Sequence, residues 1–290
     1  MASRSLSIAI SPGSQEVSLV PGETYEGSFT VLNPFPDAAQ VGFRVRVAPM
    51  TSEDETFSLD FDDATDFSQI VSWVTLEPDS GALDGHTSTE IHYRISVPAD
   101  APAGGQYAAF LVQALPNDTA PAESSTATVK SSSQIAMLLY ATVAGETRIE
   151  GTVVEHSLAP VYLDAPLKTT LLLSNTGNVH SRATVTLRVF PLFSSEEVYS
   201  TEETPTYKTV LPGSRLLFEQ VWDETPKLGL YRVEEEVDFA GIYTVESRVV
   251  LFAPFWFVIL AFLFLVAIFY GLIERLSLRK KSKKKVRKKS

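Results

Sequence analysis

Cysteine is missing altogether, histidine occurs only four times, and basic residues are scarce until the last stretch of the chain. Without cysteine there can be no disulfide, no thiolate metal site and no cysteine nucleophile. The histidines, His86, His92, His156 and His180, are scattered, with neither H-E-x-x-H nor a pair at metal-ligand spacing. G-x-S-x-G is also absent, which removes the usual serine elbow between a strand and a helix. A glycosidase needs only two well-placed carboxylates, yet most Asp and Glu here fall in turns or at outward strand positions, where solvent is their natural partner. Residues 1–273 carry 14 Lys or Arg against 34 Asp or Glu. Such a field repels phosphates and argues against nucleic acid as a partner. No motif implies a cofactor, and the reading is non-enzymatic.

What the chain does have is one long apolar run. Val249 to Ile273, VVLFAPFWFVILAFLFLVAIFYGLI, holds 25 residues without a charge between Arg248 and Glu274. As a helix it would extend ~37 Å, enough for a bilayer. A soluble core rarely needs large apolar residues on every face of a helix, so a single transmembrane helix over 249–273 is expected. Trp256 and Tyr270 lie towards its two ends, where amphipathic rings favour the membrane interfaces. Ala267 and Gly271 are four apart, a spacing that lets two such helices approach. Residues 274–290 then supply Arg275, Arg279, Lys280, Lys281, Lys283, Lys284, Lys285, Arg287, Lys288 and Lys289 against Glu274 alone. Basic residues this close to a span hold that flank in the cytoplasm, which places the acidic N-terminal part outside the cell. The tail also suits anionic lipid headgroups. This topology calls for a secretion signal, but MASRSLSIAISPGS has no apolar core or cleavage motif. The expectation is a signal peptide removed or lost to a misplaced start codon.

Strand patterns dominate residues 1–248. In TYEGSFTVLN, VGFRVRV and EIHYRISV apolar residues alternate with polar ones, the mark of half-buried strands, whereas QIAMLLYATV is apolar throughout and suits a strand covered on both faces. No stretch before the span carries a helical stripe. A repeat is visible at an offset of 142: Asn33 and Pro49 are echoed by Asn175 and Pro191, with the same spacing of 16. Later, PAGGQY (Pro102 to Tyr107) is echoed by PKLGLY (Pro226 to Tyr231). A Pro-x-x-Gly-x-Tyr turn entering a strand fits the corner of an Ig-like sandwich, where a Tyr reaches back to the backbone. The fold class expected is all-β: two tandem Ig-like sandwiches, 1–144 and 145–248, then the span and the tail 274–290. Length agrees, since about 248 residues suit two domains of ~100–150 each. Gly145 marks a tight, semi-rigid junction. Leu115 to Ser133, rich in Pro, Ser, Thr and Ala, reads as an exposed loop. It holds a match to an N-glycosylation sequon, Asn117-Asp118-Thr119.

VPGETYEGSFTVLNPFPDAAQVGFRVRV, SWVTLEP, VPADAPAGGQYAAFLVQ and IAMLLYATVAG together resemble the peptidoglycan-binding domain of WxL-interacting proteins of Gram-positive bacteria, over roughly residues 5–145. The resemblance implies a second Ig-like domain, a membrane helix and a Lys/Arg-rich tail, in the order found here. It also implies association with the cell wall, the first domain contacting peptidoglycan and the second a host or partner protein. A chain without cysteine fits a bacterial surface better than a disulfide-stapled secreted module.

Two side-chain groups are candidate sites. Asp60, Asp62, Asp63 and Asp66 offer oxygen ligands to calcium but lack the Gly and terminal Glu of an EF-hand loop. Trp73 would stack on sugar if exposed, although a Trp between Val and Leu on a strand is more often core. The leading functional reading is a membrane-anchored surface adaptor that binds cell-wall polymer or a surface protein. A structural subunit of a surface assembly is the alternative, and a wall hydrolase the weakest contender.

Overall fold

The alternating segments become strands with one buried face. In VGFRVRV, Val41, Phe43 and Val45 are buried while Arg44 and Arg46 face solvent. The computed structural model describes residues 8–35, 40–53, 55, 58–116, 133–224 and 228–287. It is mostly β, with one apolar helix at the C-terminal end.

The first half contains β1 (Ala9–Ser11), β2 (Ser14–Leu19), β3 (Thr24–Leu32), β4 (Val41–Pro49), a small hairpin of β5 (Thr51–Glu53) and β6 (Ser58–Asp60), β7 (Val74–Glu77), β8 (Ser80–Leu83), β9 (Ser88–Ser96), β10 (Gly104–Pro116) and β11 (Gln134–Val143). One sheet runs β1-β3-β9-β7 and the other β2-β11-β10-β4-β8. Phe29, Ile91 and Tyr93 from the first sheet meet Phe110, Met137 and Leu139 from the second in one core.

The second half repeats this pairing with β12 (Gly151–Leu158), β13 (Val161–Tyr162), β14 (Leu167–Asn175), β15 (Ser181–Pro191), β16 (Tyr199–Ser200), β17 (Thr206–Val210), β18 (Arg215–Trp222), β19 (Gly229–Phe239) and β20 (Ile242–Phe252). Its sheets run β12-β14-β18 and β13-β20-β19-β15-β16, with β17 also on β15. In both halves the chain starts in one sheet and crosses to the other, where a strand lies parallel to the last one: β2 on β11, β13 on β20. Asn33 and Asn175 close equivalent strands with buried amides. Asn33 Nδ2 donates to the Leu83 carbonyl, and Asn175 Nδ2 to those of Val179 and Val210. Pro49 and Pro191 end β4 and β15.

Three expectations are corrected. Val249 to Phe252 is not part of the helix; it forms the end of β20, paired with Gly229 to Arg232, and Val250 and Phe252 are core residues. The helix, α1, spans Phe255–Arg287, and its bilayer-length apolar part is Phe255–Arg275. A short 3₁₀ helix, Asp66–Trp73, occurs where no helix was expected; the Thr65 hydroxyl caps it by accepting from Phe67 N–H, and Ser68 answers with a bond to Thr65 N–H. Finally, Tyr107 and Tyr231 are both buried but not equivalent. Pro191 lies opposite Tyr231, whereas Pro49 lies opposite Ala108. That shift of one residue turns Tyr107 to the other face of its strand.

Candidate functional site

The stretch of α1 from Phe255 to Ile273 is apolar all round and none of the bilayer-length part is buried by the protein. Phe, Leu and Ile side chains lose roughly 1.5–3 kcal/mol each when left in water instead of an apolar medium. The twenty-one residues from Phe255 to Arg275 extend ~31 Å, close to the hydrocarbon thickness of a bilayer. Pro254 starts the helix: it lacks an N–H to strand, and its carbonyl accepts from Phe257 and Val258. Only Ala253 and Pro254 separate α1 from the last core strand.

Within the second half, a polar layer divides the apolar core. One cluster contains Leu171, Val185, Phe218 and Phe239; the other contains Leu187, Trp222, Tyr231 and Phe252. Between them lie Thr169, Gln220 and Glu235, all buried. His156 on β12 reaches across from the opposite sheet. Its Nε2 bonds the Glu235 carboxylate, and its Nδ1 lies 2.6 Å from Glu246 Oε2. The Thr169 hydroxyl donates to Glu235 at 3.1 Å, and Gln220 Nε2 donates to the Val185 carbonyl at 3.2 Å. The Glu235 hydrogen bond outweighs burial and, with Glu246, holds the His156 pKa above its ordinary value; the Glu246 carboxyl is pushed down, chiefly by His156. The charged form of the ring is therefore favoured, pinned between two carboxylates and tying the two sheets together. Its nitrogens point in opposite directions, so the triad is not a metal site. Among the described residues no group of three or more His, Asp or Glu is placed to hold a metal.

A seam joins the two halves. The Tyr107 hydroxyl accepts from the His180 backbone N–H at 2.7 Å and lies 3.3 Å from His180 Nδ1. Burial lowers the His180 pKa, so the neutral ring can accept the phenol proton. Burial also pushes the Tyr107 phenol well above its usual range. Asn178 Nδ2 donates to the Glu146 carbonyl at 2.9 Å, and its carbonyls, main chain and side chain, accept from Gly105 N–H and Arg148 N–H. Leu211 packs with Met50, Tyr107 and Tyr140. This explains the apolar second face of β11: its outer residues Leu138 and Tyr140 are covered by the seam cluster. At Gly145, φ is +145° and a Cβ would come within 2.5 Å of Ala103. Only glycine fits there. A cleft of about 300 Å³ opens beside the seam between Thr65–Phe67 and Leu211–Ser214. Asp66 is its one ionisable side chain besides the Tyr107 phenol, which supplies no acid–base pair for catalysis.

No protein-family model matches the chain, and no curated protein matches it. Several solved structures align with it. The CsuC–CsuE chaperone–tip adhesion subunit pre-assembly complex from archaic chaperone-usher Csu pili of Acinetobacter baumannii aligns at TM-score 0.43 and 10% identity, over 86% of this chain and 99% of that one. The YadV chaperone aligns at 0.42 and 12%, over 84% and 99%. The class 5 fimbriae chaperone CfaA aligns at 0.40 and 15%, over 86% and 100%. Likenesses at this level bear on neither the partner nor the activity of this chain.

The residues singled out in the sequence are distributed as follows. Trp73 is 8% exposed and packs in the first core, so it is no sugar platform. The Asp60 carboxylate accepts from Asp62 N–H and Asp63 N–H, a turn-forming role, and Asp66 opens the 3₁₀ helix. These four aspartates do not converge on a calcium site. Trp256 and Tyr270 are exposed on α1, as an interfacial position requires. Arg275 is exposed at the end of the apolar part; Arg279 to Arg287 lie along the α1 backbone, and Lys288 and Lys289 fall outside the described residues, as do Pro226 and the sequon at Asn117. The seam residues Asn178 and His180 and the layer of His156, Glu235 and Glu246 were not anticipated.

Proposed function

We propose that the chain is a membrane-anchored surface adaptor: two tandem Ig-like sandwiches standing outside the cell on a single transmembrane helix, with the basic tail inside. The observation that carries this reading is the first part of α1, apolar on all sides over a bilayer's thickness and joined to a core strand by two residues. So short a connection fixes the second sandwich against the bilayer, and the seam at Tyr107 and His180 extends that order to the first. The excess of basic residues after the span supports a cytoplasmic tail, available to anionic headgroups. The resemblance of residues 5–145 to WxL-interacting proteins supports cell-wall polymer, peptidoglycan above all, as the ligand of the first sandwich. Binding rather than catalysis is favoured because the His156 and Glu235 layer is enclosed between the two apolar clusters and the cleft at Asp66 opens on no acid–base pair.

One observation favours protein assembly as a second reading. β18 has a strand partner on one side only, β14, whereas its counterpart β9 has one on both sides; on the outer edge Leu217 bonds Glu55 and Lys208, and the Val221 carbonyl accepts from Tyr199, with Glu219 between them. An edge of this kind can accept an added strand.

Detergent-solubilised full chain should be incubated separately with purified wall sacculi and with an extract of surface proteins. Co-sedimentation with sacculi supports the wall-binding reading. Saturable capture of one protein, lost on Glu219→Pro, an exposed position of β18 whose N–H faces away from β14 as that of Leu217 does, with the circular dichroism unchanged, supports assembly. Release of reducing sugar or peptide from the sacculi would overturn the adaptor reading.

A further inference from the structure

We infer that the membrane-proximal end of the second sandwich is itself a lipid-docking surface, in which the loops around α1 dip into the headgroup region. This deepens the anchored reading and rests on it. The strand directions decide which loops lie beside the helix. β20 runs towards α1, β19 starts there, β15 ends there, and β13 lies parallel to β20 at Leu251 and Phe252. The turns after β12 and β13, the loop after β15 and the approach to β19 therefore share one end. The turns at Asn178 and Leu211, which meet the first half, lie at the opposite end.

That end displays apolar side chains which the fold leaves uncovered. Phe193, in the loop after β15, is 93% exposed. Val161 and Leu163 from the β13 turn, Leu228 and Leu230 at the start of β19, and Val249 on β20 are also exposed. Elsewhere in the second half Ile149, Val154, Tyr207, Tyr243 and Val245 are exposed, most of them along strands, and the described part of the first half exposes Val20 and Phe35; what sets the membrane-proximal end apart is that its exposed residues cluster in the loops beside α1. An isolated exposed apolar residue needs no explanation, but a ring of them does. Here the occupant is named by continuity. Residues level with Phe252 lie two positions from a helix that enters hydrocarbon, so the surface they form faces lipid. Apolar loops of this kind gain by entering the boundary between headgroups and acyl chains.

The same loops carry Asp164, Glu196, Glu197, Asp223 and Glu224, all exposed. Their charge selects the lipid: docking should be favoured on zwitterionic surfaces and opposed by anionic ones. The polybasic tail has the opposite preference, so the two flanks of the span discriminate lipid headgroups in opposite senses.

The absence of cysteine makes the test direct, because one introduced thiol is unique. Phe193→Cys, Leu163→Cys and Asp238→Cys would each be labelled with an environment-sensitive fluorophore on the full chain and reconstituted into vesicles. Asp238 is exposed on β19 opposite Tyr243, nine residues up β20 from Phe252 and thus ~30 Å further along the strand. Co-flotation with vesicles after alkaline washing reports the anchor; failure to float overturns both readings. For floating protein, the labels at 193 and 163 should shift to the blue and be quenched by doxyl lipid, while the label at 238 is quenched only by aqueous iodide. The lipid quenching at 193 should fall when phosphatidylglycerol replaces phosphatidylcholine. Iodide quenching at 193 and 163 equal to that at 238 overturns the docking surface and leaves the anchor standing. A blue shift without doxyl quenching would mean burial against protein, and overturns it as well.

Discussion

Replacing His156 with Leu should be among the most damaging single changes in the second half, and a second substitution should repair it. Glu235 is 3% exposed and sits between two apolar clusters, with Thr169 as its one other hydrogen-bond donor among the described residues. Removing the imidazolium leaves that carboxylate buried with one donor. Breaking a buried pair in this way costs about 3–5 kcal/mol. Glu246 adds little, since its side chain is 41% exposed and Arg248 lies 3.3 Å away. In the double variant His156→Leu, Glu235→Leu no buried charge remains, and the leucines join the two clusters across the former polar layer. The Thr169 hydroxyl loses its acceptor, so the net cost should be no more than about 1 kcal/mol.

The pH dependence follows from the same groups. The folded-state pKa of His156 is raised, so its stabilisation is complete below its ordinary value of 6.5 and is lost as pH rises through the raised one. The folded-state pKa of Glu246 is lowered, so its contribution is present above 4.5 and is lost as pH falls through the lowered one. The triad is therefore strongest between about 4.5 and 6.5. His180 titrates in the opposite sense, but it is common to all variants and cancels in the comparison. Urea unfolding of the full chain in micelles, followed by circular dichroism and by tryptophan fluorescence with Trp73 and Trp256 replaced by Phe in every variant so that the core residue Trp222 reports alone, gives the free energies. Wild type should lose stability relative to the double variant as pH rises above 6.5. A single variant as stable as the double, or a pH-independent difference between wild type and double, would refute the reasoning.

Tyr107→Phe removes the acceptor of the His180 N–H and the donor to its ring, at a cost of about 1–3 kcal/mol for the groups left unpaired. The loss should appear as faster amide exchange at His180 and Gly105, with the core of the first half unchanged. Asn175→Ala should lower the melting temperature more than Asn33→Ala, because Asn175 makes three side-chain bonds, to Val179, Val210 and Gly177, against two for Asn33; equal effects would contradict their hydrogen-bond counts. Protease added to intact cells should digest the β-strand part of the chain and leave a small protected fragment containing α1. Protection of the sandwiches with loss of the tail would reverse the topology.

What the sequence revealed depended on whether apolar and polar residues alternate. In LYRVEEEVDF the alternation of β19 is readable, and the parity of Tyr231, Val233, Val237 and Phe239 already sets Glu235 inward; a buried carboxylate was the signal available for the polar layer. His156 offered none, since its partners lie on strands 79 and 90 residues away. Continuous apolarity hid the end of β20, where Val249 to Phe252 merge by hydropathy with the span; Pro254, unable to continue a ladder, is the only local mark of the boundary. GGQYAAFLVQAL conceals parity in the same way. Both faces of β10 are covered, so Tyr107 and Ala108 are equally plausible core residues by pattern, and only the pairing of Ala108 with Pro49 assigns them. The two Pro-x-x-Gly-x-Tyr turns therefore look alike while their tyrosines serve opposite faces. Tyr231 fills its own core beside Trp222, and Tyr107, one position out of register, is free to bond the neighbouring half. The seam that joins the two halves thus arises from a shift in pairing register, which is a property of two strands together and cannot be read from either one alone.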